Sequence, residues 1–217
     1  MIDLAPNNPY GLTLSSPVLT AAGCFGYGVE YARLVDIERI GAIVTTSTTL
    51  HRRRVGRPPR LVETPAGVLA AGPWPNPGLD RAIGRYAPIW ATWRTPVLLS
   101  VVCEKPSDFA AMAAALEGVE GIAGLELNLA DHAERAAAIV AATRAATLLP
   151  LLAKLPPLEA GLAELARAVA AAGADAITAC AGPRALAFDP RGDEWREGML
   201  CGPALRPLAL RRVAVVA

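Results

Sequence analysis

Residues Gly124–Ala133 read GLELNLADHA, and this stretch decides how the rest of the chain is read. Leu125, Leu127 and Leu129 alternate with Glu126 and Asn128, the period-two pattern of a strand. If both faces of that strand are buried, the two polar side chains need partners, because an unpaired buried polar group costs a few kcal/mol. A buried acid such as Glu126 is usually explained by a barrel Lys or Arg. The strand then breaks into Asp131-His132, two titratable groups at its C-terminal end. In barrels and open α/β sheets, that end is where ligands sit.

Working outward, further apolar stretches flank this one. Pro17–Ala21, Ala42–Thr46, Pro96–Val102, Leu149–Leu155 and Ala174–Cys180 read as strands. Helical spacing predicts helices over Glu30–Ile40, Leu79–Tyr86, Ser107–Glu117, Glu134–Ala146 and Leu158–Ala172, with another beginning at Pro207. Gly41 suits a helix stop, Ser107 an N-cap, and Pro157 a helix start. Pro6-Asn7-Asn8-Pro9 marks a turn inside a small N-terminal hairpin. Ser47–Pro88 is a long connection rich in Pro, Gly and Arg, and such connections are usually functional. Ala181–Cys201 reads as loop with room for a hairpin.

Strands alternating with helices make an α/β fold with a parallel sheet, and continuously apolar strands agree with it. About six βα units fit 217 residues, whereas a TIM (β/α)8 barrel has eight and about 250 residues. The expectation is one domain, residues 1–217, forming a barrel short of its last two units. Either a homodimer contact or a partner chain would cover its two open sheet edges, or the sequence is a fragment of a longer gene product.

Composition narrows the function. Hydrophobic residues make up 53% and aromatics 5%, so the core must be aliphatic. A net charge of +1 gives no case for a nucleic-acid or membrane-surface partner. His51-Arg52-Arg53-Arg54, with Arg57 and Arg60, lacks aromatic interleaving and reads as a solvated loop. Cys24, Cys103, Cys180 and Cys201 show no zinc or C-x-x-C spacing and read as small core fillers in a reducing, cytoplasmic protein. MIDLAPNN does not resemble a signal peptide, and no apolar run is long enough to span a bilayer.

Eight segments, in order, resemble the dihydroorotate dehydrogenase family, specifically its soluble class. They are SSPVLTAAGCFGYGVEYARLVD, IGAIVTTSTTL, ETPAG at Glu63–Gly67, NPG at Asn76–Gly78, LELNL, AKLPP, AGADAIT and CGPALRPLALR. The resemblance implies an FMN-binding barrel that oxidises dihydroorotate to orotate in pyrimidine biosynthesis. A base takes a proton from substrate C5 while hydride passes from C6 to flavin N5. Carried over by position, Ala21, Ala22 and Gly23 lie along the flavin, and Thr46, Ser47 and Ser100 fall at neighbouring cofactor positions. Lys154 sits at the flavin N1/C2 edge, where a cation stabilises the anionic reduced ring. Asn128 contacts flavin or substrate, and Asn76 the substrate.

The chain also departs from the family pattern. Where the family has its catalytic cysteine, this chain has Asp131, and where it has substrate asparagines, this chain has Ala70, Ala133 and Ala181. Thr46 replaces a lysine and Ser100 an asparagine. Asp131 is thus the candidate base, with His132 better matched to neutral pH; the bland reading of the pair is a solvated loop or a helix cap. The family's phosphate-binding glycine loops belong to the two units not found here. Two other readings stay open: a non-catalytic relative or partner subunit that keeps the scaffold, and a barrel lyase or isomerase with Lys154 as its working amine. No metal-ligand spacing is present.

Overall fold

The computed structural model describes residues 2–54, 60–72, 74–158, 160–179 and 181–217. The chain opens with the expected hairpin, Ile2–Asp3 (β1) against Thr13–Leu14 (β2). Ile43–Val44 (β3) follows, then an antiparallel pair, Leu61–Thr64 (β4) and Gly67–Ala71 (β5). Leu79–Arg81 (α1) runs through a wider π turn at Ala82–Tyr86 into Ala87–Trp90 (α2). From there the pattern is regular. Val97–Val101 (β6) leads to Pro106–Leu116 (α3), and Gly124–Asn128 (β7) to Ala136–Arg144 (α4). Leu151–Lys154 (β8) leads to Leu162–Ala171 (α5), and Ala176–Thr178 (β9) completes the run. A second hairpin, Arg184–Asp189 (β10) with Glu194–Cys201 (β11), precedes Arg206–Val216 (α6).

β3, β6, β7, β8 and β9 pair in that order, all parallel, as a sheet curled like half a barrel. Its two faces differ. Leu125, Leu127 and Leu129 are fully buried outside the curl, against Phe109, Met112 and Leu116 of α3 and Ile139 and Val140 of α4. Inside, Val44, Leu98 and Leu152 form a small apolar floor with Leu12 and Leu14 of the N-terminal hairpin. The hairpin therefore plugs the N-terminal end of the curl. It is pinned there where Tyr10 Oη donates to Glu117 at 2.8 Å and Asn8 Nδ2 to Asp175 at 3.1 Å.

Several expectations are corrected. Pro17–Ala21 is not a full strand: only Leu19 bridges Ala42, so the parallel sheet has five strands rather than six. Glu30–Ile40 forms turns and a short 3-10 helix, Ile37–Arg39. Its apolar spacing misled because Leu34 is 76% exposed, so no buried face supports a helix. Gly41 is needed for close approach instead: a Cβ there would lie 1.9 Å from the Ser16 carbonyl oxygen. Ser107 does not cap α3; Pro106 takes the first helical position and Ser107 Oγ contacts Asp108. Pro157 does not start α5 either: it sits in a tight turn closed by the Leu158 amide on the Pro156 carbonyl at 2.8 Å, and the helix waits for Leu162. The helix beginning at Leu79 runs beyond Tyr86, to Trp90. The strand over Ala174–Cys180 narrows to β9, with Cys180 outside the described residues.

The long connection after β3 holds a hairpin that the sequence reading leaves as loop, although Pro65-Ala66 is a two-residue turn signal. β5 pairs with β11, so the two hairpins make one antiparallel sheet, β10–β11–β5–β4. The hairpin expected within Ala181–Cys201 is present.

Candidate active site

The C-terminal ends of the parallel strands and the antiparallel sheet enclose a cleft of about 1070 Å³. Ala22, Gly23, Ser47, Asn128, Asp131 and Lys154 all line it. So do Ala70, Ala133 and Ala181, which present methyl groups where the family pattern has asparagines. Pro156, Pro157 and Leu158 supply a further apolar wall. Gly23 is held at φ +92°, and a Cβ there would sit 3.7 Å from the Trp74 indole nitrogen, so this wall stays thin only without a side chain.

The polar groups at the strand ends form one network. Lys154 is 7% exposed, which rules out the snorkelling lysine that was its bland alternative. Its Nζ lies 4.0 Å from Glu126 Oε1. Glu126, 2% exposed, also accepts from Ser100 Oγ at 3.2 Å and Thr178 Oγ1 at 3.1 Å. The expected pairing of a buried acid with a barrel lysine is therefore present. Ser100 Oγ is 2.9 Å from Ser47 Oγ, which accepts from Asn128 Nδ2 at 3.0 Å. The Ala130 amide donates to Asn128 Oδ1 at 3.2 Å.

At 4.0 Å the ammonium is ion-paired with Glu126 but beyond hydrogen-bond reach of it, and among the described residues its protons remain for a ligand. The second Nδ2 hydrogen of Asn128 likewise has no partner among the described residues. Both groups only donate. This corner of the cleft therefore suits acceptor atoms or developing negative charge.

The remaining candidates sit at different depths. Ser100 is fully buried beneath the cleft, reaching it through Ser47. Thr46 is 8% exposed and its amide bonds the Gly26 carbonyl; it does not line the cleft. Ala21 is exposed, outside the lining, and its carbonyl accepts from the Cys24 amide and thiol. Asn76 is buried behind the lining, where its Oδ1 takes bonds from Thr49 and Gly78 and holds the loop, and its Nδ2 has no partner among the described residues.

Asp131 lies at the rim, paired with Arg184 at 3.1 Å, both side chains about two-thirds exposed (70% and 68%). His132 is buried, edge-on to Phe109, with Arg135 Nη2 3.4 Å from Nδ1. A guanidinium can only donate, so a bond there has Nδ1 as the acceptor. Arg184, on β10, also reaches Glu197 of β11 at 3.5 Å, so its pair with Asp131 ties the rim to the second hairpin.

Sequence reasoning missed Arg184, Glu197, Trp74 and Arg53 as cleft residues. Arg53 is half-buried in the lining, so this one member of the basic run is not a solvated loop residue; Arg57 lies outside the described residues. The cysteines differ from the expected core fillers, since Cys24 is exposed, while burial pushes the Cys103 thiol up to about 12. Among the described residues, no cluster of His, Cys, Asp and Glu could hold a metal, and no helix is long and apolar enough to cross a membrane.

The comparisons with known proteins agree with this geometry. A family model described as dihydroorotate dehydrogenase matches residues 5–217. The catalytic subunit of dihydroorotate dehydrogenase B (NAD(+)) from Desulforudis audaxviator is 38% identical over 94% of this chain and 71% of its own length. The proteins of the same name from Desulforamulus reducens and Pelobacter propionicus are 36% and 37% identical, over 93% and 95% of this chain and 72% and 73% of their own. With the strand order, the cleft and the lysine at its base already in place, the chain belongs to the dihydroorotate dehydrogenase family.

Proposed function

We propose that this chain is an FMN-dependent oxidoreductase of the dihydroorotate dehydrogenase type, acting on dihydroorotate or a close relative of it. The observation that carries this reading is the meeting of the Lys154 ammonium and the Asn128 amide at one corner of a cleft walled by Ala22 and Gly23. The thin wall suits a flat ring, and the donor corner suits the ring edge that gains negative charge on reduction. Lys154, Asn128 and Ser47 would hold that edge, with Ala22 and Gly23 along the face.

Bound FMN supplies the hydride acceptor. The chain's own part is to position the substrate and move a proton. Asp131, at the rim, is the candidate base, and its exposed bond to Arg184 is weak enough to exchange for substrate, at about 0–1 kcal/mol. The methyl groups of Ala70, Ala133 and Ala181 give fewer directional contacts than a site built to hydrogen-bond a ureide ring. They favour a second reading, a family member that keeps the scaffold without turnover.

The visible spectrum of the purified protein tests the first reading. Flavin bands near stoichiometric support it, and a colourless protein that takes up no added FMN refutes it. In the loaded protein, Asp131→Asn should abolish bleaching by dihydroorotate; unchanged bleaching would remove Asp131 as base. Bound flavin without bleaching by dihydroorotate would favour the second reading.

The relatives are named catalytic subunits of NAD(+)-linked enzymes, and we read this chain likewise as one that works with a second subunit. Residues 1–217 are read as a single barrel-type domain.

A further inference from the structure

The polar network has a direction, and both of its ends are obligate. At one end, the Ala130 amide can only donate, so the Asn128 atom 3.2 Å away is the oxygen and Nδ2 faces Ser47. At the other, an ionised Glu126 can only accept, so Ser100 donates to it. With the Ser100 proton committed, the Ser47 hydroxyl must donate to Ser100 and accept from Asn128. The same carboxylate lies 4.0 Å from the Lys154 ammonium.

We propose that Glu126 is the positioning residue of the cleft: its buried carboxylate fixes the place of the Lys154 ammonium and, through Ser100 and Ser47, the orientation of the Asn128 amide. Both donors that meet the ligand are thus set by one group that does not line the cleft. Glu126 at 2% exposure, with one oxygen bonded by a hydroxyl of the adjacent β6 and the other by a hydroxyl of β9, the next strand but one, is held by β6 and β9 at once. That Lys154 is one of only two lysines among 21 basic residues fits this geometry. A compact ammonium can stand beside the carboxylate and still offer protons, whereas a planar guanidinium fork would pair with it directly. Where FMN is the ligand the inference rests on the function proposed above, but the network itself does not.

The chain's two lysines, Lys105 and Lys154, make a direct test possible. Protein labelled uniformly with 15N gives two lysine Nζ signals, with Lys105 as internal control. Glu126→Gln is isosteric and can donate as well as accept, so the direction of the chain is no longer forced. The expected result is a displaced and faster-exchanging Lys154 Nζ signal, together with displaced Asn128 side-chain NH2 signals, while Lys105 and the backbone spectrum hold. Unmoved Lys154 and Asn128 signals in folded E126Q would overturn the proposal. Ser100→Ala separates the two branches: Asn128 should shift and Lys154 should not, and this variant decides the matter if E126Q does not fold. An unmoved Asn128 in S100A would count against it equally.

In protein loaded with FMN, E126Q should move the flavin midpoint potential upward, because a negative charge near the reduced ring has gone. If the wild type takes up no FMN, the proposed function fails while the nitrogen spectra still judge Glu126.

Discussion

The two faces of β7 obey different rules. Leu125 and Leu127, with Leu129 just past the strand's end, look outward into aliphatic packing with α3 and α4, where any side chain of the right size and polarity would serve. Glu126 and Asn128 look inward, where each atom has a named partner and a required direction. The outer face stabilises through area and shape, and the inner face is conditional: satisfied it is roughly neutral, broken it is costly. One five-residue strand therefore carries both the fold and the chemistry.

The sharpest way to break that contrast is Glu126→Ala. It leaves a buried ammonium unpaired and should cost roughly 3–5 kcal/mol in denaturant unfolding. The double variant Glu126→Leu, Lys154→Met should recover most of that stability, since apolar replacement of a whole buried pair is often neutral, and yet abolish FMN uptake. A double variant as unstable as the single one would mean that the inner face is ordinary packing.

Leu127→Ala should cost roughly 2–5 kcal/mol through a cavity, with FMN affinity of the folded fraction unchanged. Lost affinity there would erase the distinction between faces. Ser47→Ala removes one link of the chain and should cost about 1 kcal/mol of stability while weakening FMN binding. Arg184→Ala, at the exposed rim, should change stability by less than about 1 kcal/mol.

The smallest effect belongs to the plugged end. The Thr147 hydroxyl first, opposed by burial and then supported by the Leu148 amide and Tyr10, holds the Glu117 carboxyl below its ordinary value. A depressed folded-state value contributes stability above the unfolded value of 4.5, and that contribution is lost on acidification below it. Glu117→Gln should therefore lower stability slightly at neutral pH and flatten the acid limb of the curve, converging with the wild type on acidification.

How much of this was legible depended on sequence distance. The strands from β6 to β9 were readable because parallel strands are apolar on both faces, so an interior Glu, Asn or Lys stands out. That Glu126 needs a basic partner was legible, but that the partner is Lys154 follows from the pairing of their neighbouring strands. Glu30–Ile40 misled because three apolar residues at helical spacing say nothing about whether a core faces them. The bond between Asp131 and Arg184 was illegible, since it joins residues on elements whose proximity depends on how a distant hairpin docks. The Asn-to-Ala positions could be named only through the family resemblance, and the structure then gave them a common surface.

The roof over the cleft is made from two pieces of chain, Gly67–Ala71 and Glu194–Cys201, joined where Leu69 faces Leu200. During translation the first hairpin emerges long before its companion, by on the order of ten seconds at ordinary elongation speeds. For that interval the free side of Gly67–Ala71 is an unpaired edge, the kind that recruits other nascent chains. The pocket cannot exist until nearly the whole described chain has left the ribosome, so ligand capture is one of the last events in the protein's maturation rather than a nucleus for it.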